Sequence, residues 1–336
     1  MRRGKRSFIG LFFGILLAGL AGPSLAQSPD FFRIGTGGAG GTYYPVGGLL
    51  AHAISNPPGS RACEEGGSCG VPGMIAVAQS SNGSVSNLKA IAARTLESGF
   101  AQSDIVYWAY TGTGIFKGII PMERLRVITN LYPESIHLVA RPDSGIKSIH
   151  DLKGKRVSLD ESGSGTLVDA RVILEAYGLS EADLKAEYMK PGLAADKMGH
   201  GDLDAFFIVA GYPTSSVFRL ATTSGAVLIP IDGPEANKVI RNYGFFAPNI
   251  IPAGTYSNDK DIKTLSVGAQ WIVNSETSDE KVYQITRALW NANSRKLLDN
   301  GHPKARSITL PSALAGIGIP LHPGAIRYYE EIGLID

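Results

Sequence analysis

Small hydroxylated residues stand beside glycines or polar residues at several points where an apolar, strand-like run ends. The sharpest case is Ser162-Gly163-Ser164-Gly165-Thr166, which follows the run Arg156–Leu159 and leads into a helical stretch ending near Tyr177. Ile34-Gly35-Thr36-Gly37-Gly38-Ala39-Gly40-Gly41, Ser80-Ser81-Asn82-Gly83-Ser84 and Gln102-Ser103-Asp104 sit in the same kind of place. At the start of a helix the first N–H groups have no partner within the helix, and the helix dipole gives them positive character. Glycine lets a ligand approach those amides closely, so a carboxylate or a phosphate is the species such loops attract. A single hydroxyl residue also satisfies an ordinary N-cap, and taken alone the 162–166 loop reads first as a cap.

Other chemistries find less support. Gly35-x-Gly37-x-x-Gly40 follows a strand and precedes a helix, as a dinucleotide loop does. The acidic residue that such a fold needs should end the second strand roughly 20 residues on. Here that region holds a cysteine-flanked loop, and the second strand comes later. A serine-hydrolase elbow is missing, because Ser162 stands where Gly-x-Ser-x-Gly needs its first glycine. No lysine-bearing phosphate loop occurs. The six histidines are scattered singly at 52, 137, 150, 200, 302 and 322, so neither a metal cluster nor a nucleophile–base pair is spelled out. His137, inside an apolar run, reads as a core residue. No catalytic residue, metal or cofactor is therefore expected.

At 44% hydrophobic and 18% charged over 336 residues, the composition suits one large or two medium globular domains. Arg2, Arg3, Lys5 and Arg6 precede an apolar run from Phe8 to Leu20, and Ser24-Leu25-Ala26 follows with small residues. That order predicts a secretory signal peptide over 1–26, cleaved after Ala26, and the run is short for a membrane span. Without its four basic residues the chain holds 28 basic against 30 acidic residues, which offers nothing to nucleic acid. An exported, soluble, periplasmic protein is expected. In an oxidising compartment the only two cysteines, Cys63 and Cys69, should form one disulfide, two free thiols being the alternative.

Strand and helix alternate three times before residue 111, which predicts an α/β fold with a mainly parallel sheet. Asp104 reads as an N-cap for Ile105–Tyr110. Leu125–Tyr132 and Ser135–Arg141 read as two strands broken at Pro133. The pattern restarts at Arg156, with Gly178 capping the next helix. Strands are expected at Ala205–Val209 and Val227–Ile231, with helices after Pro213 and Pro234. A long β-type run covers Thr264–Val273, and Thr277-Ser278-Asp279-Glu280 reads as a capping box for a helix reaching Trp290. The restart and the late strand predict a second lobe inserted into the first: lobe 1 over 27–138 and 268–336, lobe 2 over 139–267.

A resemblance then becomes specific. Ile34–Gly38 with Gly41–Gly47, Asn82–Leu88, Ala101–Asp104, Asp151–Val157, Gly163–Thr166, Gly201–Phe207 and Pro320–Ala325 follow in order along nearly the whole mature chain. Together they resemble the TAXI family of TRAP transporter solute receptors. The Cys63–Cys69 loop departs from the common pattern. The resemblance implies a type II periplasmic-binding-protein fold, in which two α/β lobes close on a small ligand and the closed form docks on a TRAP membrane permease. It also implies a monomeric, non-enzymatic receptor for a small carboxylate such as 2-oxoglutarate or glutamate. A binding module feeding a sensor kinase is the alternative.

Ligands in open α/β sheets lie beyond the carboxyl ends of the strands. The expected site is thus Thr36, Gly37, Ser84 and Gln102 from lobe 1. Lobe 2 should supply Ser162, Ser164, Gly165 and Thr166, with Gly211 and Pro213 of Gly211-Tyr212-Pro213. Tyr43 or Tyr44 could cover an apolar part of the ligand. The better-known branch of TRAP receptors holds its carboxylate with an arginine. No arginine falls in the matched motifs that face the cleft, so Arg141 and Arg171, the nearest by position, are expected at the surface and amides and hydroxyls should take that role.

Overall fold

The computed structural model describes residues 30–336, so the expected signal segment lies outside the described residues. No helix among the described residues is long and apolar enough to cross a membrane.

The first part of the chain runs β1 (Asp30–Gly35), α1 (Tyr43–Ile54), β2 (Ser55–Asn56), β3 (Val71–Pro72) and β4 (Met74–Gln79). It continues with α2 (Ser84–Ala92), β5 (Ser98–Gln102), α3 (Ser103–Thr111) and the long β6 (Leu125–Ala140). Then come β7 (Arg156–Ser158), α4 (Gly165–Ala176), β8 (Lys185–Glu187), α5 (Pro191–Gly199) and β9 (Ala205–Ala210). After these follow α6 (Ser215–Thr223), β10 (Val227–Ile229), α7 (Gly233–Asn242), β11 (Ala247–Ile251) and the long β12 (Ile262–Asn274). Helices α8 (Asp279–Leu289), α9 (Ala292–Gly301) and α10 (Pro323–Glu331) close the chain.

The main sheet has the order β4-β1-β5-β12-β6-β9-β7-β8, with β10 also on β6 and β11 also on β12. Its two ends are parallel: β1 pairs with β4 and β5, and β7 pairs with β8 and β9. Between them β6 and β12 run antiparallel through both lobes. Ala269–Val273 of β12 pair with β5, whereas Ala247–Ile251 lie along its other half, Ile262–Ser266. Likewise β6 pairs with β12 from Leu125 and takes up β9 from Ser135 to Ala140. This is the type II periplasmic-binding-protein architecture, two α/β lobes joined by two strand crossings around a cleft.

The expected break at Pro133 is absent, and β6 is one strand of 16 residues. Proline has no N–H to give a ladder. The pairing with β12 nevertheless runs on through it, Pro133 lying opposite Gly268, and β9 joins β6 only from Ser135. Two caps also differ from expectation. Helix α3 begins at Ser103 with Gln102 at its N-cap, which leaves Asp104 inside the first turn. Ser278 alone caps α8, accepting from the Lys281 N–H, while Glu280 pairs with Arg327. Gly178 does adopt a left-handed φ of 73°, just after the end of α4.

Each lobe buries apolar side chains on both sheet faces because strand residues alternate. Ile136, Leu138 and Ala140 of β6 enter one core, with Val157, Phe207 and Val267. Val139 enters the other, with Phe206 and Leu220. In lobe 1 Phe32, Phe100, Trp271 and Tyr329 fill one face, and Leu88, Ile105 and Ile272 the other. The bond between Cys63 and Cys69 pins the loop after α1.

Candidate functional site

A cavity of about 60 Å³ lies between the lobes, room for a few water-sized groups. The starts of α1, α2, α4 and α5 open onto it through Thr42 and Tyr43, Gly83 and Ser84, Ser164 to Thr166, and Pro191. Four positive helix ends therefore converge from two lobes.

Of the expected residues, Gly37, Tyr43, Ser84, Gln102, Ser164, Gly165 and Thr166 line this cavity. Ser84 Oγ donates to Gln102 Oε1 at 3.2 Å and accepts from the Gln102 N–H at 3.1 Å. Gln102 Nε2 crosses to lobe 2 and donates to Asp169 Oδ2 at 2.8 Å. Ser164 is the N-cap of α4, accepting from the Leu167 N–H at 3.1 Å. Thr166 Oγ1 accepts from the Val209 N–H at 3.1 Å. Tyr43 OH donates to Glu134 Oε2 at 2.8 Å, whereas Tyr44 is 41% exposed.

Thr36, Ser162, Gly211 and Pro213 do not line the cavity. Thr36 is fully buried and donates its hydroxyl to the Gln79 carbonyl at 2.8 Å. The Ser162 carbonyl accepts from Asn82 Nδ2 at 3.1 Å, and the Gly211 carbonyl accepts from the Thr42 hydroxyl. Gly211 backs onto Lys304, where an added Cβ would meet Cγ at 2.5 Å. Pro213 follows a cis peptide bond after Tyr212. Arg141 pairs with Asp143 and Asp204, and Arg171 with Glu181, away from the cavity. His137 is buried, with Nδ1 2.8 Å from the Ser135 carbonyl.

The lobes touch along the cleft. The Ser86 N–H donates to the Gly163 carbonyl at 3.0 Å, and the Ser216 N–H to Gly40 at 3.1 Å. Thr214 Oγ1 donates to the same Gly40 carbonyl at 2.6 Å. Gly165 approaches Gln102 so closely that a Cβ there would lie 1.3 Å from Oε1. Only glycine permits that approach.

Sequence reasoning passed over the acids. Glu134, Asp160 and Glu161 line the cavity, and Asp104 and Asp169 are buried close by. Burial pushes the Glu134 carboxyl up to about 8, against the opposing pull of the Tyr43 hydrogen bond. It pushes Asp160 up to about 7, although the Glu161 N–H donates to it at 2.8 Å. Both can thus hold a proton near neutral pH and donate it. One signal was available: Glu134 is the single acid inside the apolar run Leu125–Ala140. Asp160 has a left-handed φ of 73°, a conformation short polar residues tolerate and one that sequence does not display.

Fold and cleft together define a two-lobed protein with the type II periplasmic-binding-protein fold. The chain belongs to the NMT1-like family, whose pattern matches residues 34–333. Among solved structures it resembles PhnD1 of Prochlorococcus marinus, determined with methylphosphonate, at 10% identity over 91% of this chain and 98% of that one, TM-score 0.51. A protein of Bordetella bronchiseptica RB50 matches at 14% identity over 90% and 82% of the two chains, TM-score 0.51. The alkanesulfonate-binding protein SsuA of Xanthomonas axonopodis pv. citri, bound to MOPS, matches at 19% over 83% and 82%, TM-score 0.44. At these identities the likeness is one of fold.

Proposed function

We propose that the protein is an extracytoplasmic solute receptor that captures a small organic acid, 2-oxoglutarate- or glutamate-like, by closing its lobes. In this reading it belongs to the TAXI branch, works as a monomer without catalysis, and hands its solute to a TRAP-type permease. The observation that carries the ligand class is the convergence of four helix starts, from both lobes, on one cavity. Their amides suit a carboxylate, and Glu134 and Asp160, protonated near neutral pH, would add donors where an ionised acid would repel. Gly37, Tyr43, Ser84, Gln102, Ser164, Gly165 and Thr166 are the proposed contacts. Thr36, Ser162, Gly211 and Pro213 then serve as the frame behind them.

The lobe division near 138 and 267 belongs to the same proposal. The change of partner along β6 at Ser135 favours a first crossing a few residues earlier. Export with cleavage after Ala26 is also part of it. The test is a thermal-shift panel of organic acids, amino acids, sulfonates and phosphonates. A solute at a hundred times its Kd should stabilise the fold by about 2.7 kcal/mol. The largest rise is expected from a small carboxylate. A rise confined to sulfonates or phosphonates would overturn the ligand class, and no rise from any solute would overturn the receptor reading.

A further inference from the structure

Two buried carboxyl groups meet across the lobe junction outside the lining of the cavity. Asp104 lies in the first turn of α3 in lobe 1, and Asp169 lies one turn into α4 in lobe 2; both are fully buried. Gln102, two residues before Asp104, reaches Asp169 across the junction, and each of the two carboxyls acts on the other's hold on a proton. Gln102 Nε2 supplies one donor, to Asp169 Oδ2 at 2.8 Å. Both oxygens of Asp104 and the second oxygen of Asp169 accept from no donor. The N–H groups of Asp104 and Ile105 lie near the Asp104 carboxyl without completing a bond to it.

The surroundings supply no compensating charge to the pair. Glu134 on β6 is a further acid, and its charge acts on the Tyr43 and Tyr132 phenols and on Asp169. Lys304, the nearby cation, sits 4.2 Å above the Tyr212 ring and acts on Glu134. Among the described residues no group of three or more acids, histidines and cysteines could hold a metal ion. Gln102 offers the pair its N–H, whereas a cation would need its oxygen, and that oxygen accepts from Ser84.

Two ionised carboxylates cannot share a dry site, but one proton between them turns repulsion into a strong hydrogen bond. We propose that Asp104 and Asp169 form a proton-binding site assembled by lobe closure, so that closing the receptor takes up one proton at this pair. The inference rests on the two-lobe closure of the proposed function and is independent of which solute is bound. With the lobes apart, each carboxyl meets water and ionises in the ordinary range. On closing, one proton from solvent bonds to a carboxyl oxygen of the pair, and on opening it returns, leaving together with the solute.

The sign follows from linkage. The closed state binds the proton and the open state does not, so closure is favoured as pH falls. Its ratio to the open state should drop by up to tenfold for each pH unit of rise, between the ordinary carboxylate range and the raised value of the pair. The experiment is small-angle scattering on the solute-free protein from about pH 5 to about pH 8. The wild type should become more compact on acidification. Asp104→Asn, whose amide can donate to Asp169 without a proton, should show a shallower dependence, leaving only the part due to Glu134 and Asp160, which burial in the closed cleft also raises. If its circular dichroism shows that it does not fold, Asp169→Asn carries the comparison. A wild-type radius of gyration that is flat across the range, or the same pH dependence in the folded Asn variant, overturns the proposal. Because no solute is added, a failed solute panel leaves this result standing on its own.

Discussion

Gly165→Ala tests whether the close approach of α4 to Gln102 controls closure. Gly165 lies outside the left-handed region, so alanine fits the local backbone, and as a better helix former it does not weaken α4. Its Cβ, however, would lie 1.3 Å from Gln102 Oε1, 2.5 Å from Cδ and 2.9 Å from Ser84 Oγ. Gln102 is 3% exposed and cannot swing into solvent. Either its amide leaves Asp169, which it meets at 2.8 Å, or the lobes stay apart. A hydrogen bond to a charged or charge-sharing group contributes ~1.5–3 kcal/mol. Its loss corresponds to about a ten- to hundredfold fall in the closed fraction and in affinity. Calorimetry with a solute identified by the panel reads the affinity, and scattering reads compaction on binding. The melting temperature without solute should be unchanged or slightly higher. Unchanged affinity with normal compaction would refute the reasoning, and a parallel drop in affinity and melting temperature would trace the effect to local damage instead.

Three further outcomes are expected. Thiol titration of the denatured, unreduced protein should find no free cysteine, and Cys63→Ser with Cys69→Ser should cost only on the order of 2–3 kcal/mol in denaturant unfolding, because the closed loop is short. Asp204 accepts from the Arg156 N–H at 2.9 Å and from Arg156 Nη2 at 2.7 Å, and these bonds hold its carboxyl below the usual range. Its stabilisation is therefore present above the unfolded carboxylate range and lost on acidification through the folded value; Asp204→Asn should lower the melting temperature at neutral pH, by about 1–3 kcal/mol equivalent, with the gap closing in acid. Tyr43→Phe removes the donor to Glu134, raised by burial to about 8. The folded pKa then rises further, so the loss in melting temperature should be larger at about pH 9 than at about pH 6.

The alternation of strand and helix and the capping glycine at 178 were legible because they rest on local periodicity and local backbone needs. The two-lobe arrangement was legible from the restart at Arg156 and the late strand ending near Val273. The failures came where a local rule met a tertiary answer. Proline reads as a break, yet Pro133 continues β6, held in register opposite Gly268 of the distant β12. Thr36 and Gly37 are neighbours in sequence, but only Gly37 lines the cavity. Asp104 looked like a cap, a local role, yet the carboxyl that acts on it, Asp169, belongs to α4 in the other lobe.

The acids of the cleft were the least legible feature, and they change how the site is understood. Helix starts carry partial positive charge, so carboxyl groups beside them are less costly there than elsewhere in a dry interior. Burial still raises Glu134 and Asp160 toward neutrality, which makes them donors as well as acceptors. A carboxylate held by amides and neutral acids needs no arginine, and none lines this cavity. The lining of such a site has no arginine or lysine to hold the solute while the cleft is open. Its hold develops as the two sets of helix starts come together, which depends on bare backbone at Gly165 and Gly40 at least as much as on any polar side chain. Removing one hydroxyl should therefore weaken capture less than filling the space beside Gln102.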